Sequence, residues 1–201
     1  ILSCLILPTK GKIDVMGYDI LKDGEKIRAS IGLVSSDERS FYWRLTLKQN
    51  LYFFAALYNL SNLQAKRKIE ELSRLLEIKG YLDKRFQECS SGIKQRLSIA
   101  RSLLNDPKVL FMDEPFKSLD LLSAKNLKNF IKKILVAEQH KTIFLISHNF
   151  NEVEDFADRI AIMHKGEILA CGTLSDLRSS IDIPLASLGD IYNRVANING
   201  G

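Results

Sequence analysis

Two adjacent carboxylates, Asp113 and Glu114, close the apolar run Val109-Leu110-Phe111-Met112 and stand directly before Pro115. An apolar run ending in acids is the pattern of a buried strand that surfaces carrying chemistry. At such a strand end, Asp113 suits a magnesium ion held through water, and Glu114, pointing the other way, suits a base that polarises an attacking water. Upstream, Ser90-Ser91-Gly92 opens the amphipathic stretch Ile93-Lys94-Gln95-Arg96. That is a helix start whose backbone N–H groups receive an anion. Downstream, Ser118-Leu119-Asp120 follows the acids, and Ser147-His148 closes a second apolar run, Thr142 to Ile146. A histidine there would meet a γ-phosphate at the carboxyl edge of a sheet. Taken singly, the acids read equally well as solvated residues before a proline turn, and His148 as a structural histidine. Their shared order and spacing is what points to ATP chemistry.

The surrounding pattern supplies elements to hold these residues. Lys12 to Met16 and Ile31 to Val34 read as short strands on either side of turn residues at Asp23-Gly24. From Leu45 to Ser102 the pattern is helical, with Ser61 as an N-cap and Ala65, Ile69, Leu72 and Leu76 at helical spacing behind it. Lys108 to Met112 and Thr142 to Ile146 read as strands buried on both faces, with Leu121 to Val136 helical between them. Phe150 to Phe156 reads as a short helix, Arg159 to Met163 and Glu167 to Ala170 as a hairpin, and Thr173 to Arg178 as a last helix. Ile1 to Leu7 looks like a helix tail or connecting strand, and the final twenty residues are less patterned. Alternating strands and helices predict an α/β fold with a mainly parallel sheet and an inserted helical subdomain.

Composition sets the outer bounds. A chain of 201 residues, 46% hydrophobic and 26% charged, is ordinary for a globular domain. No apolar run reaches the roughly 18 to 20 residues that span a bilayer, so membrane association would pass through a partner. The net charge of +5 is spread along the chain, with no basic tract to mark a nucleic-acid footprint. Cys4, Cys89 and Cys171 are scattered and match no metal-ligand spacing, which makes them reduced packing residues.

The same residues resemble a family, the nucleotide-binding subunit of ATP-binding cassette (ABC) transporters. Ser90 to Arg96 is similar to the signature Leu-Ser-Gly-Gly-Gln, Val109 to Glu114 to the Walker B strand, Ser118-Leu119-Asp120 to the D-loop, and His148 to the switch histidine. Leu7-Pro8-Thr9-Lys10-Gly11 and the segment from Ile31-Gly32-Leu33-Val34 through Asn50-Leu51 extend the resemblance, which runs to about Leu177. It implies a P-loop NTPase-type sheet: residues 1–42 and 106–180 would form the α/β core, 43–105 the helical subdomain, and 181–201 a tail. It also implies ATP and Mg2+ as cofactors, a head-to-tail dimer with a second cassette, and a transmembrane permease subunit. Catalysis would fall to Glu114 and His148, the metal to Asp113, and contact with the partner cassette's ATP to Ser90, Ser91, Gly92 and Asp120. Localisation would be cytoplasmic and peripheral to the membrane, with no nucleic acid bound. Phe41, Tyr42, Trp43 and Arg44 read as an exposed aromatic-basic cluster for the permease, or equally as local packing.

Departures from the family pattern are specific. No Gly-x-x-x-x-Gly-Lys-Ser/Thr phosphate loop occurs in the 201 residues. The resemblance places that loop upstream of Ile1, so the chain reads as a fragment that lacks its first strands and is inactive alone. Ser36 stands at the Q-loop position, with Asp37 as a substitute; Ser91 replaces a glycine and Ile93 a glutamine in the signature. The expected function is the ATP-hydrolysing subunit of a membrane transporter, of exporter rather than importer type. Two other readings stay open: a non-transport cassette ATPase acting on nucleic acid or ribosomes, and a degenerate cassette that only binds a partner.

Overall fold

Local chemistry fixes where the elements begin. The computed structural model describes residues 1–35, 38–117, 119–181 and 184–198. They divide into two units, Ile1–Ile146 and Ser147–Gly201. The first opens with the short antiparallel pair β1 (Asp14–Val15) and β2 (Tyr18–Asp19), followed by α1 (Gly24–Ser30). Next come β3 (Ile31–Ser35), α2 (Leu47–Leu57), α3 (Asn62–Leu75) and α4 (Ser91–Leu103). The unit ends with β4 (Val109–Asp113), α5 (Leu121–Phe130) and β5 (Thr142–Ile146).

Thr46 and Ser61 start α2 and α3 through reciprocal capping boxes with Gln49 and Gln64. Behind each cap lies an apolar face: Leu47, Leu51 and Ala55 on α2, Ile69 and Leu72 on α3, and Leu97 and Ile99 on α4 are all buried. The segment expected to be helical from Leu45 to Ser102 is thus three helices, the third carrying Ser90 as its N-cap.

β3, β4 and β5 form a parallel sheet in that order. Leu110, Phe111 and Met112 are buried, as the apolar run requires. β5 departs from expectation. Its residues alternate instead of being buried throughout, with Phe144 and Ile146 exposed. β5 lies at the edge of this sheet, so its residues meet neighbours on one side, where Phe144 rests against Phe111 at 5.4 Å. The helix after Leu121 also departs, passing into a π-helical stretch over Ile131–Glu138. Ile1 to Leu7 forms turns and bends, while α1 stands where only turn residues were expected.

A buried cation ties the loops beneath this sheet. Lys141, 8% exposed, donates to Asp106 Oδ1 at 2.7 Å and to the Pro107 carbonyl at 2.8 Å. The Lys141 hydrogen bond holds the Asp106 carboxyl below its ordinary value. A lowered folded value means stability that is present above the unfolded value and lost as pH falls through the folded one. Asp106→Asn is therefore expected to flatten acid-side stability below about pH 4. Urea titrations of both proteins at pH 3 to 6 check it, and parallel pH dependences would rule the pair out as the cause.

The second unit holds α6 (Phe150–Phe156), the antiparallel pair β6 (Ile160–His164) and β7 (Glu167–Gly172), α7 (Leu174–Ser180) and α8 (Leu188–Ile198). The hairpin turns on Lys165 and Gly166, both at positive φ (47° and 87°), the geometry of a tight two-residue turn. Its core gathers Ile160, Ile162, Leu177, Ala186, Leu188 and Ile191. α8, within the stretch that seemed unpatterned, thereby helps close the unit.

Candidate active site

The parallel register brings three strand ends to one edge: Ser35 of β3, Asp113 of β4 and Ile146 of β5 stand side by side. Asp113 is exposed there, directly after buried Met112. Glu114 continues the ladder by one bond, its N–H donating to the Ile146 carbonyl at 2.9 Å. Its φ is +49°, a left-handed value uncommon for a residue with a side chain. The chain thus breaks from the strand immediately after Asp113, and the adjacent carboxylates leave the sheet on different backbone paths. Unfavourable backbone held in place by a strand bond is the kind of geometry found at functional sites.

Ser90 caps α4, and Ser91 and Gly92 open its first turn. Ser90 Oγ accepts from the Ile93 N–H at a long 3.5 Å, and no acidic residue stands in that turn. Helix starts leave N–H groups without intrahelical acceptors and carry the positive end of the dipole, so this turn suits an anion. Gly92 faces α5: a Cβ built there would lie 3.5 Å from Ser123 Oγ. The two helix starts are therefore adjacent, and Asp120 is the cap of the second. Its Oδ1 accepts from the Ser123 N–H at 2.9 Å and its Oδ2 from the Ser123 hydroxyl at 2.6 Å. Those bonds, the hydroxyl's first, hold the Asp120 carboxyl below its ordinary value.

Ser36, Asp37 and Ser118 lie outside the described residues. His148 belongs to the second unit, exposed in the bend before α6, where Asn149 caps that helix. Among the described residues no group of three or more His, Cys, Asp or Glu could hold a metal ion. A single carboxylate at a sheet edge fits a magnesium ion that arrives with phosphate and keeps its waters, not one held by protein alone.

The aromatic cluster is only partly as expected. Tyr42, Trp43 and Arg44 are exposed, but Phe41 is buried, stacked on Phe86 with ring centroids 4.8 Å apart. The Lys94 ammonium, one turn into α4, lies 5.1 Å from the ring centres of both Trp43 and Phe86. Fully buried Asn50 was not picked out from sequence as the residue that shapes this loop. Its Oδ1 accepts from the Tyr42 N–H at 2.9 Å, and its Nδ2 donates to the Tyr42 and Thr46 carbonyls at 3.1 and 3.0 Å. The signal for it was an amide one turn behind the Thr46 cap, a position otherwise filled by apolar residues.

Residues 1–117 match the family model described as ABC transporter. The chain is 34% identical over 179 residues to the ABC transporter ATP-binding protein NatA of Bacillus subtilis, covering 89% of this chain and 72% of that one. It is 33% identical over 175 residues to the probable multidrug ABC transporter ATP-binding protein YbhF of Escherichia coli, covering 87% of this chain but 30% of the relative. The linearmycin resistance ATP-binding protein LnrL of Bacillus subtilis is 33% identical, with 90% of this chain and 57% of the relative covered. A solved ATP-binding subunit of an ABC transporter superposes with a TM-score of 0.80 at 27% identity, covering 97% of this chain and 80% of that one. The dimeric ATP-binding cassette MJ0796, solved with ADP and phosphate, gives 0.72 at 25% identity, covering 86% and 77%. This chain belongs to the ABC transporter family and is related to its ATP-binding proteins.

Proposed function

We propose that this chain is the ATP-hydrolysing portion of an ABC membrane transporter of exporter type. The observation that carries the reading is the edge where Asp113 ends β4 and Glu114 turns away at positive φ with its N–H bonded to β5. Asp113 would hold Mg2+ through water, and Glu114 would polarise the attacking water. His148 would contact the γ-phosphate. The start of α4, with Ser90, Ser91 and Gly92, would face the ATP of a second cassette in a head-to-tail dimer. Asp120, engaged by Ser123, would hold the start of α5 beside it. Ser36 and Asp37 occupy the Q-loop position, and the helical block of 43–105 would meet a transmembrane permease. In these roles the chain would lie on the cytoplasmic face of a membrane, with no nucleic acid bound.

Export is favoured by relatives named for multidrug transport and linearmycin resistance. Closure of the dimer on ATP and its opening after hydrolysis would switch the permease between two states. The test is ATP turnover by the P-loop-complete protein purified with its permease. A rate of about 10 s⁻¹ is expected, lost when EDTA removes Mg2+. Folded protein without turnover in either condition would overturn the reading.

A further inference from the structure

Arg101 stands on the last turn of α4. Its guanidinium lies 4.6 Å from the ring centre of Phe41 and 5.1 Å from that of Phe54, and it donates to Ser40 Oγ at 2.6 Å. The two rings meet edge to face at 5.6 Å, so the cation closes an aromatic corner. One turn earlier, Ser98 Oγ donates to the Ser35 carbonyl at 3.3 Å. Successive turns of the signature helix therefore grip the end of β3 and the segment at Ser40 and Phe41. From Tyr42 onward Asn50 takes over.

Removing a guanidinium from water costs free energy unless something replaces the hydration. Burial pushes Arg101 below its ordinary value. Among the described contacts, two ring faces and the Ser40 hydroxyl hold it. Arginine suits this because its planar, weakly hydrated head stacks on aromatic faces while still donating at its edge. An apolar side chain would fill the same space without directing the segment.

We infer that Arg101 is a positioning residue, fixing the Ser40–Trp43 segment and its exposed Tyr42 and Trp43 to the helix that carries the signature. The geometry alone supports the latch; its consequence for ATP-driven coupling rests on the function proposed above.

Hydrogen exchange on the chain itself tests the latch without nucleotide. Arg101→Met is expected to speed exchange at the Tyr42 and Leu45 amides about tenfold, leaving the β4 amides unchanged. Arg101→Lys should restore most of the protection, since a cation returns between the rings. Emission of Trp43, the sole tryptophan, should shift with R101M and return with R101K. Ser40→Ala removes the hydroxyl that accepts from Arg101 and keeps the test open if R101M fails to fold; it should speed the same amides by about threefold. Unchanged loop exchange in both R101M and S40A, equal loosening of β4, or no rescue by R101K would each overturn the assignment. In the P-loop-complete protein with its permease, R101M should lower kcat roughly fivefold with KM for ATP unchanged. Altered exchange with unaltered kcat would keep the latch and discard its role in coupling.

Discussion

Glu114→Gln, made in the P-loop-complete protein, is expected to lower kcat for ATP hydrolysis by about 10²- to 10⁴-fold while ATP still binds. The substitution is well controlled by the structure. Glutamine matches glutamate in shape, and two bonds at this position, from its N–H to the Ile146 carbonyl and from the Lys117 N–H to its carbonyl, are made by the backbone. The left-handed φ of +49° costs both residues alike. What changes is the carboxylate, which accepts the proton of the attacking water where an amide does not. If ATP closes a dimer and hydrolysis opens it, the variant should also accumulate as an ATP-bound dimer on size exclusion. Turnover at the parent rate would remove Glu114 from the role. Slow turnover without the trapped dimer would keep the base and discard the proposed closure.

How legible this site was depends on how local its determinants are. β4 announced itself because four consecutive apolar residues end in two acids, and the helix start at Ser90 because serine and glycine stand before an amphipathic run. Phe150 to Phe156 and the hairpin turn at Lys165-Gly166 were equally local, set by a cap and by a turn that needs positive φ. α1 was missed because it buries only Ile27 and begins with Gly24 directly after Asp23, a pair that also spells a turn. Ser187 stands directly before α8 and bonds Asp190 in its first turn, with apolar residues at helical spacing behind, but the packing partners of the helix lie in β6 and α7. Exposure along β5 is not written in its residues at all: Thr-Ile-Phe-Leu-Ile suits a strand covered on both faces, whereas alternate residues, Phe144 and Ile146 among them, are exposed. Arg101 shows the same limit at the level of a side chain. Its hydroxyl partner is 61 positions away, and nothing in the spacing connects them.

Two glycines separate packing from propensity, and their alanine variants should move stability in opposite directions. A Cβ on Gly32 would lie 2.6 Å from Leu110 Cδ2, 2.7 Å from the Ser102 carbonyl oxygen and 3.0 Å from Pro107 Cγ. Leu110 is fully buried, and the Ser102 oxygen belongs to the backbone of α4. Relief therefore requires α4 to move away from β3, against buried Leu97 and Ile99. Overpacking of this kind costs about 1–3 kcal/mol, so Gly32→Ala should lower Tm by about 2–12 °C in a chain of this size. At Gly92 the nearest atom to an added Cβ is 3.5 Å away, an ordinary contact. Gly92 sits in the first turn of the same helix, where alanine is favoured over glycine by up to about 1 kcal/mol. Gly92→Ala should leave Tm unchanged or raise it. Calorimetry on the two variants decides between close approach and a general intolerance of this helix. A loss at Gly32 alone would assign glycine there to the contact between strand and signature helix, whereas equal losses at both would deny that contact its special place.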